Sequence, residues 1–390
     1  MSTVESPAHY RFSPSAASRW LACPGSLTLP EVEDEGSEYA REGTAAHDLA
    51  EQCWLTGLDP SAFIDGEIEG FPVTEEMAEA VQLYMDTVEM ESRHESCEVW
   101  TENKIAHSSM SGFGGTVDCM IWNPSSEVLT IVDFKYGAGV VVEVEKNPQL
   151  LCYALLALNT IATQTEGERQ SIEVRLIVVQ PRCHHEEGPV RSWTPSQEEL
   201  EDFGLTVATA ISQQDINQTF SAGDHCRWCP HKVDCPELHR LTLDIAKAEF
   251  SDDGMTPEKA ADVMEKAKPV GMFLDAVKKW THGQMEKGVS VPGYKLVNSF
   301  GNRQWTLDDE GILKKCKSRK INKRDATEVK LLSPAKLEKI AGKDFVASLT
   351  ERPLKGTTVV PESDRRPAVE RQDPSAEFAE VAQTESQSNE

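Results

Sequence analysis

Two aspartates and a lysine are the residues whose types and spacing suggest chemistry. Asp118 lies in GGTVDCMIW, and Asp133-Phe134-Lys135 lies in EVLTIVDFK. Both segments have the length and β-branched content of strands, and Asn123-Pro124-Ser125-Ser126 between them has the composition of a turn. Side chains alternate along a strand, so Thr116, Asp118, Met120 and Trp122 share one face of the first. Leu129, Ile131, Asp133 and Lys135 share one face of the second. A hairpin then brings Asp118 close to Asp133 and Lys135. Two carboxylates and an ammonium are costly inside otherwise apolar runs. A hard divalent cation offsets the carboxylate repulsion, and the lysine can hold or polarise an attacking water. A buried or edge-exposed ion pair is the simpler account of an isolated D-x-K. Gly114 and Gly115, just ahead of the first strand, tilt the reading toward chemistry, because bare glycines let a phosphate backbone approach.

The second constellation is Cys226, Cys229 and Cys235, spaced C-x2-C-x5-C, with Cys23 in WLACPGS as the nearest partner of the right character. On spacing alone, four thiolates suit zinc or an iron–sulphur cluster equally well. Cys53, Cys97, Cys119, Cys152, Cys183 and Cys316 have no mutual spacing and read as core residues. Cys183-His184-His185 follows a strand beside Glu186 and Glu187 and reads as loop rather than as a metal site.

The elements that must position these groups can be placed from pattern. Ser13-Pro14-Ser15 starts a helix that Pro24-Gly25 stops, and further helices are expected over about 42–55 and 74–93. Strands are expected at TENKIAH, GGTVDCMIW, EVLTIVDFK and SIEVRLIVVQP, with a helix at NPQLLCYALLALNT and a helical stretch after Pro195. Helices, a strand pair, a helix and another strand suggest an α/β core. From about Asp252, TPEKAADVMEKAKPVGMFLDAVKKWTHGQMEKG reads as two charged amphipathic helices, and GYKLVNSF as a short strand. The Pro-, Glu-, Ser- and Gln-rich residues 356–390 read as a disordered acidic tail.

The chain has 390 residues and a hydrophobic fraction of 39%, enough for a real core plus an appendage. There is no run of eighteen apolar residues, and MSTVESPAHYRF lacks a basic region followed by an apolar stretch, so a cytoplasmic protein is expected. Ten cysteines in a reducing compartment are free thiols or ligands rather than disulfides. A net charge of −26 opposes generic polyanion binding. Charge acts locally beyond a Debye length, however. The segment carrying Lys314, Lys315, Lys317, Arg319, Lys320, Lys323 and Arg324 is either a solvated face or a phosphate-contacting patch. No base-reading helix is evident, so little sequence specificity is expected.

Asp118, Asp133-Phe134-Lys135 and Gln149-Leu150-Leu151-Cys152-Tyr153 together resemble the PD-(D/E)XK core of the RecB and Cas4 nucleases. The resemblance implies a restriction-endonuclease-like α/β core, a mixed central sheet flanked by helices. It implies Mg2+ or Mn2+ held by Asp118 and Asp133, with the Phe134 carbonyl available, and Lys135 acting on the water. Gln149 and Tyr153, four apart on one helix face, would orient DNA or the lysine. His47 in EGTAAHDLAE matches the upstream helical histidine that adds a metal ligand in this group, and Glu51 one turn on is a weaker outer partner. Asp133 stands where many members have Glu, so its strand must approach the metal more closely. The one-plus-three cysteines resemble the [4Fe-4S] clamp of AddB and Cas4 nucleases, which implies that Cys23, Cys226, Cys229 and Cys235 close the domain, with zinc as the alternative. The expected organisation is a nuclease domain over 1–245, a smaller helical and basic region over 246–350, and the tail. Residues 10–240 also resemble an uncharacterised phage and prophage family, which implies a DNA exonuclease acting with a single-strand annealing protein in recombination. The competing readings are a non-catalytic or partner-activated DNA-binding factor on the same fold, and a zinc-stabilised interaction protein.

Overall fold

A computed structural model describes residues 10–30, 38–164, 172–247, 255–297 and 309–318. The chain divides into two compact units, Met1–Val297 and Asn298–Glu390. In the second, only helix α8, Asp309–Ser318, is described.

The first unit begins with a 3-10 turn, Pro14–Ala16, leading into α1, Ala17–Ala22; a second turn follows at Pro24–Leu27. Helix α2, Glu38–Thr56, starts four residues before the expected position. A two-residue hairpin, β1 Glu67–Ile68 with β2 Phe71–Pro72, precedes α3, Glu75–Glu91. Thr74 caps α3 by accepting from the Met77 amide. The strands β3 Glu98–Ala106, β4 Gly114–Asn123 and β5 Val128–Phe134 follow, then α4 Pro148–Gln164, β6 Glu173–Val179, β7 Val190–Trp193 and α5 Gln197–Gln213. A 3-10 turn at Asp224–Trp228 leads to α6 Pro236–Lys247 and α7 Pro257–Glu286.

Five strands form one mixed sheet in the order β3-β4-β5-β6-β7, antiparallel except for the parallel pair β5–β6. The turn expected at Asn123 is there. Its Oδ1 accepts from the Ser125 and Ser126 amides, at 3.0 and 3.3 Å, which is the local bonding that makes asparagine a turn residue. Strand alternation then sorts the core. Met120, Trp122, Leu129, Ile131, Leu176 and Val178 pack on one side with α1, α4 and α5. Cys119, Ile121, Val132, Phe134, Ile177 and Val179 pack on the other with α2 and α3. Each such side chain contributes about 1.5–3 kcal/mol when fully buried. The result is a mixed α/β fold, a sheet covered by helices on both faces. Among the described residues, no helix is long and apolar enough to cross a membrane.

Two expectations fail after Asp252. The two amphipathic helices are one helix, α7, running through Pro269. An interior proline removes one helical hydrogen bond, but Pro269 and Val270 are buried where α7 packs against α6 and the Asp224–Trp228 turn, and that burial carries the helix across. GYKLVNSF forms no strand over its described residues 293–297, where it has no neighbouring strand to pair with.

Candidate active site

The β4–β5 ladder runs from Asn123↔Val128 to Cys119↔Val132 and stops. Beyond that point β4 stays with β3, while β5 continues beside β6 to Phe134↔Val179. The strands part just where Asp118 and Asp133 stand. Asp118 Oδ2 fills the gap by accepting from the Phe134 amide at 2.8 Å.

Asp118 Oδ1 is left facing α2, 3.9 Å from His47 Nδ1. The same nitrogen is 3.3 Å from Glu102 Oε1, and His47 Nε2 is 3.1 Å from the Phe134 carbonyl. Both ring nitrogens therefore face acceptors, an arrangement satisfied in full only by the imidazolium. Burial opposes that charge, but Asp118 and Glu102 outweigh it and raise the His47 pKa to about 9. His47, Glu102 and Asp118 each offer a ligand atom within 4.8 Å of the others, the one such trio among the described residues. The positive charge that the imidazolium supplies is one that a divalent cation can supply instead.

Glu102 was not singled out from sequence. The β3–β4 register pairs Thr101↔Cys119 and Asn103↔Val117 but skips the residue between, Glu102, whose φ is +45°. A glutamate in the left-handed region is strained by about 1–3 kcal/mol, and such strain concentrates at functional sites. Its signal in the sequence was cross-strand: it is the acidic residue that stands opposite Asp118 once β3 and β4 are paired.

Asp133 is 2% exposed and lies close enough to that trio to feel the charges of Asp118 and His47. Its Oδ1 accepts from Lys135 Nζ at 2.9 Å and from Gln149 Nε2 at 3.1 Å, and its Oδ2 lies 2.8 Å from Lys135 Nζ. Burial pushes the Asp133 carboxyl up. Burial also works against the Lys135 ammonium, but Asp133 and Asp118 more than compensate, so Lys135 titrates above its ordinary value. Tyr153 lies one turn on from Gln149 along α4, and burial raises its phenol. Phe134, facing the other side of β5, stacks on Tyr84 at 5.0 Å and abuts His47 at 5.3 Å. One strand thus presents Asp133 and Lys135 on one face and the residue that braces His47 on the other.

The loop between β5 and α4 is fastened from behind. Gln180 donates to the Val140 carbonyl at 2.7 Å and accepts from the Val142 amide at 3.0 Å. Arg191, 2% exposed, donates to the Val142 and Gly188 carbonyls and to Gln180. The Cys183 thiol donates to the Gly137 and Val140 carbonyls. His185 Nε2 lies 3.5 Å from Glu143 Oε2. Glu51 is exposed and outside the site.

Gly114 and Gly115 are not a phosphate approach. They lie within β4, where a Cβ on Gly114 would be 2.6 Å from Tyr10 Cε1 and one on Gly115 2.8 Å from Pro14 Cδ. The space they leave is filled by the N-terminal segment.

Cys23, Cys226, Cys229 and Cys235 line one cavity with His225 and His231. All four cysteines are buried. The Ser221 amide donates to Cys23 Sγ at 3.5 Å and the Gly223 amide to Cys226 Sγ at 3.4 Å. The Gly25 amide donates to the Thr219 carbonyl at 2.9 Å, and Ser221 Oγ donates to the Ala22 carbonyl. The first and last parts of the unit therefore meet here through backbone as well as through sulfur. The four thiols share the cavity, but among the described residues no three of them bring their sulfurs within 4.8 Å of one another.

Cys53, Cys119, Cys152 and Cys183 are buried core residues and Cys97 is half-buried. Lys314, Lys315 and Lys317 are exposed on α8. Arg319, Lys320, Lys323 and Arg324, and the tail 356–390, lie outside the described residues, as does the Cys316 side chain.

A family model described as "Protein of unknown function (DUF2800)" matches residues 9–367. A solved structure titled "Crystal structure of SSO0001" is similar at a TM-score of 0.21 and 12% identity, over 55% of this chain and 92% of that one. That likeness is too distant to assign a fold from.

Proposed function

The chain belongs to the DUF2800 family, a membership that names no reaction, and we propose that it is a metal-dependent DNA nuclease of the PD-(D/E)XK type. The observation that carries this reading is the parting of β4 and β5, where Asp118 meets His47 and Glu102 and where Asp133, held by Lys135 and Gln149, stands within electrostatic reach of them. His47, Glu102 and Asp118 would hold Mg2+ or Mn2+, with the Phe134 carbonyl adjacent and Asp133 completing the acidic set. When bound, such an ion polarises a phosphodiester and makes its water a nucleophile near neutral pH.

The chain's own residues do the rest. Lys135 stands beside two carboxylates that favour its ammonium form, and it would hold the attacking water as a hydrogen-bond donor. Asp133 and Gln149 fix that ammonium: the carboxylate accepts from Lys135 and from the Gln149 amide on the same oxygen. Nothing in this arrangement reads a base, which suits hydrolysis with little sequence preference, as an exonuclease in phage DNA recombination working with a single-strand annealing protein would need.

The four cysteines would hold a [4Fe-4S] cluster, with zinc the alternative occupant. A link there ties Cys23 to residues about two hundred positions later, and closing so long a loop constrains the unfolded chain most.

The test is cleavage of end-labelled linear and closed circular DNA with Mg2+ or Mn2+ by anaerobically isolated protein. The expected result is metal-dependent degradation that falls by about 10²- to 10³-fold or more in Asp133→Ala and Lys135→Ala, the scale for losing one group that stabilises transition-state charge. A folded wild type that binds DNA and cuts none of it favours the second reading, a DNA-binding factor on the same fold.

A further inference from the structure

The turn Asp224–Trp228 keeps its cysteine inside and its tryptophan outside. Cys226 and Cys229 are buried, whereas Trp228 between them is 66% exposed. A lone apolar side chain on a surface needs no explanation, but Trp228 differs in how it is held. The Lys232 ammonium donates to the Arg227 carbonyl at 2.9 Å and to the Cys229 carbonyl at 2.7 Å, which clamps the backbone on both sides of Trp228. The Cys226 amide donates to the Gly223 carbonyl at 3.0 Å and the Cys229 amide to the Cys226 carbonyl at 3.2 Å. The Arg227 guanidinium lies over the indole, 5.3 Å from the ring centroid. The ring thus stands out from a fixed backbone, with a cation on one face and the rest of its area in solvent.

The charge around it has the sign that the chain as a whole lacks. Residues 225–233, HCRWCPHKV, hold Arg227 and Lys232 and no carboxylate, in a chain of net charge −26. Asp224, just before them, is paired with Lys268 of α7. Arg19 of α1 lines the cavity behind the turn. A fixed aromatic ring backed by arginine in a locally basic field suits the stacking of bases, since every base has a π-face. In a duplex those faces are already stacked on one another, so the occupant is a single strand. Resting on the reading of the chain as a DNA nuclease, we propose that Trp228, backed by Arg227, is a stacking platform for an unpaired base of single-stranded DNA. The turn packs on α1, and α1 packs on α4, the helix that carries Gln149 and Tyr153. The platform therefore belongs to the same unit as the candidate site and lies on the α4 side of the sheet. It acts in binding and takes no part in cleavage. Because its backbone is fixed in advance, little ordering is left for the strand to impose.

The experiment uses the full chain, isolated anaerobically as wild type, Trp228→Ala, Trp228→Phe and, as a control, Trp280→Ala at a half-exposed tryptophan of α7. Fluorescence anisotropy without added divalent cation measures affinity for labelled oligo-dT, for an abasic strand of the same length and for a hairpin duplex. Trp228→Ala is expected to bind oligo-dT about 5- to 150-fold more weakly than wild type, the range for losing one stacked base. Trp228→Phe, which keeps a ring, should lose less, and Trp280→Ala should bind as wild type does. On the abasic strand, which offers nothing to stack, and on the duplex, wild type and Trp228→Ala should bind equally. Equal affinities for oligo-dT would overturn the inference, and so would a loss that persists on the abasic strand or that Trp280→Ala reproduces. Sedimentation of the same samples covers another occupant: a wild type that self-associates through Trp228 with its DNA affinity untouched would assign the surface to a second copy of the chain. A wild type that binds none of the three DNAs would fell the nuclease reading as well, whereas DNA binding with an indifferent Trp228 would fell the inference alone.

Discussion

At the scale of single residues, the site holds two carboxylate environments that feel each other's charge. Asp133 is sealed and committed to Lys135 and Gln149, whereas Asp118 and Glu102 share a half-buried histidine. If Glu102 is a ligand, Glu102→Gln weakens Mn2+ binding by about 10- to 100-fold, the loss typical of one misfit group around a metal. Calorimetric titration with Mn2+ measures this, and an unchanged affinity would return Glu102 to the role of a strained bystander. His47 predicts a pH effect in the metal-free protein. Its folded pKa, about 9, lies above the unfolded value of about 6.5. Its stabilisation is therefore complete below about pH 6.5 and disappears as pH rises through about 9. Melting curves in chelator should accordingly fall more steeply between those values for wild type than for His47→Gln; parallel curves would mean the imidazolium is not formed. Asp118, Asp133 and Lys135 were legible from type and spacing because a charge in an apolar strand must be compensated. Glu102 was not, because its strand carries several polar residues and only the β3–β4 register singles it out.

At the scale of elements, most boundaries followed from local signals: the Thr74 cap, the Asn123 turn, and the alternation of β4 and β5. Where the reading failed, a tertiary contact overrode a local rule. Pro269 ends a helix on propensity, yet α7 continues because its proline is buried against neighbouring elements. Gly114 and Gly115 suggested a ligand approach, yet Tyr10 and Pro14 occupy that space. The second correction predicts that Gly114→Ala destabilises the protein by about 1–3 kcal/mol, the usual range for overpacking a filled site. Urea denaturation measures it. Adding Tyr10→Ala should recover part of the loss, since the Cβ would otherwise meet that ring at 2.6 Å; a harmless Gly114→Ala would reopen the ligand reading.

At the scale of the whole molecule, a net charge of −26 must be reconciled with the DNA substrate proposed above. Lys314, Lys315 and Lys317 are exposed on α8. If they contact phosphate, replacing all three by alanine weakens binding alike on every sequence. It also lowers the slope of log affinity against log salt by about 2 to 3. Filter binding with the inactive Asp133→Ala chain measures both, and an unchanged slope would mark these lysines as a solvated face. The amino-acid sequence by itself determined the α/β class, the strand pair that carries Asp118, Asp133 and Lys135, and the cysteine set, since period, turn chemistry and ligand type are local properties. Only the tertiary structure decided that β4 and β5 part at the aspartates, that Glu102 joins His47, and that Tyr10 and Pro14 fill the space beside Gly114 and Gly115. Those facts depend on register and long-range packing, in which the free energy of distant contacts outweighs what any short stretch of chain prefers.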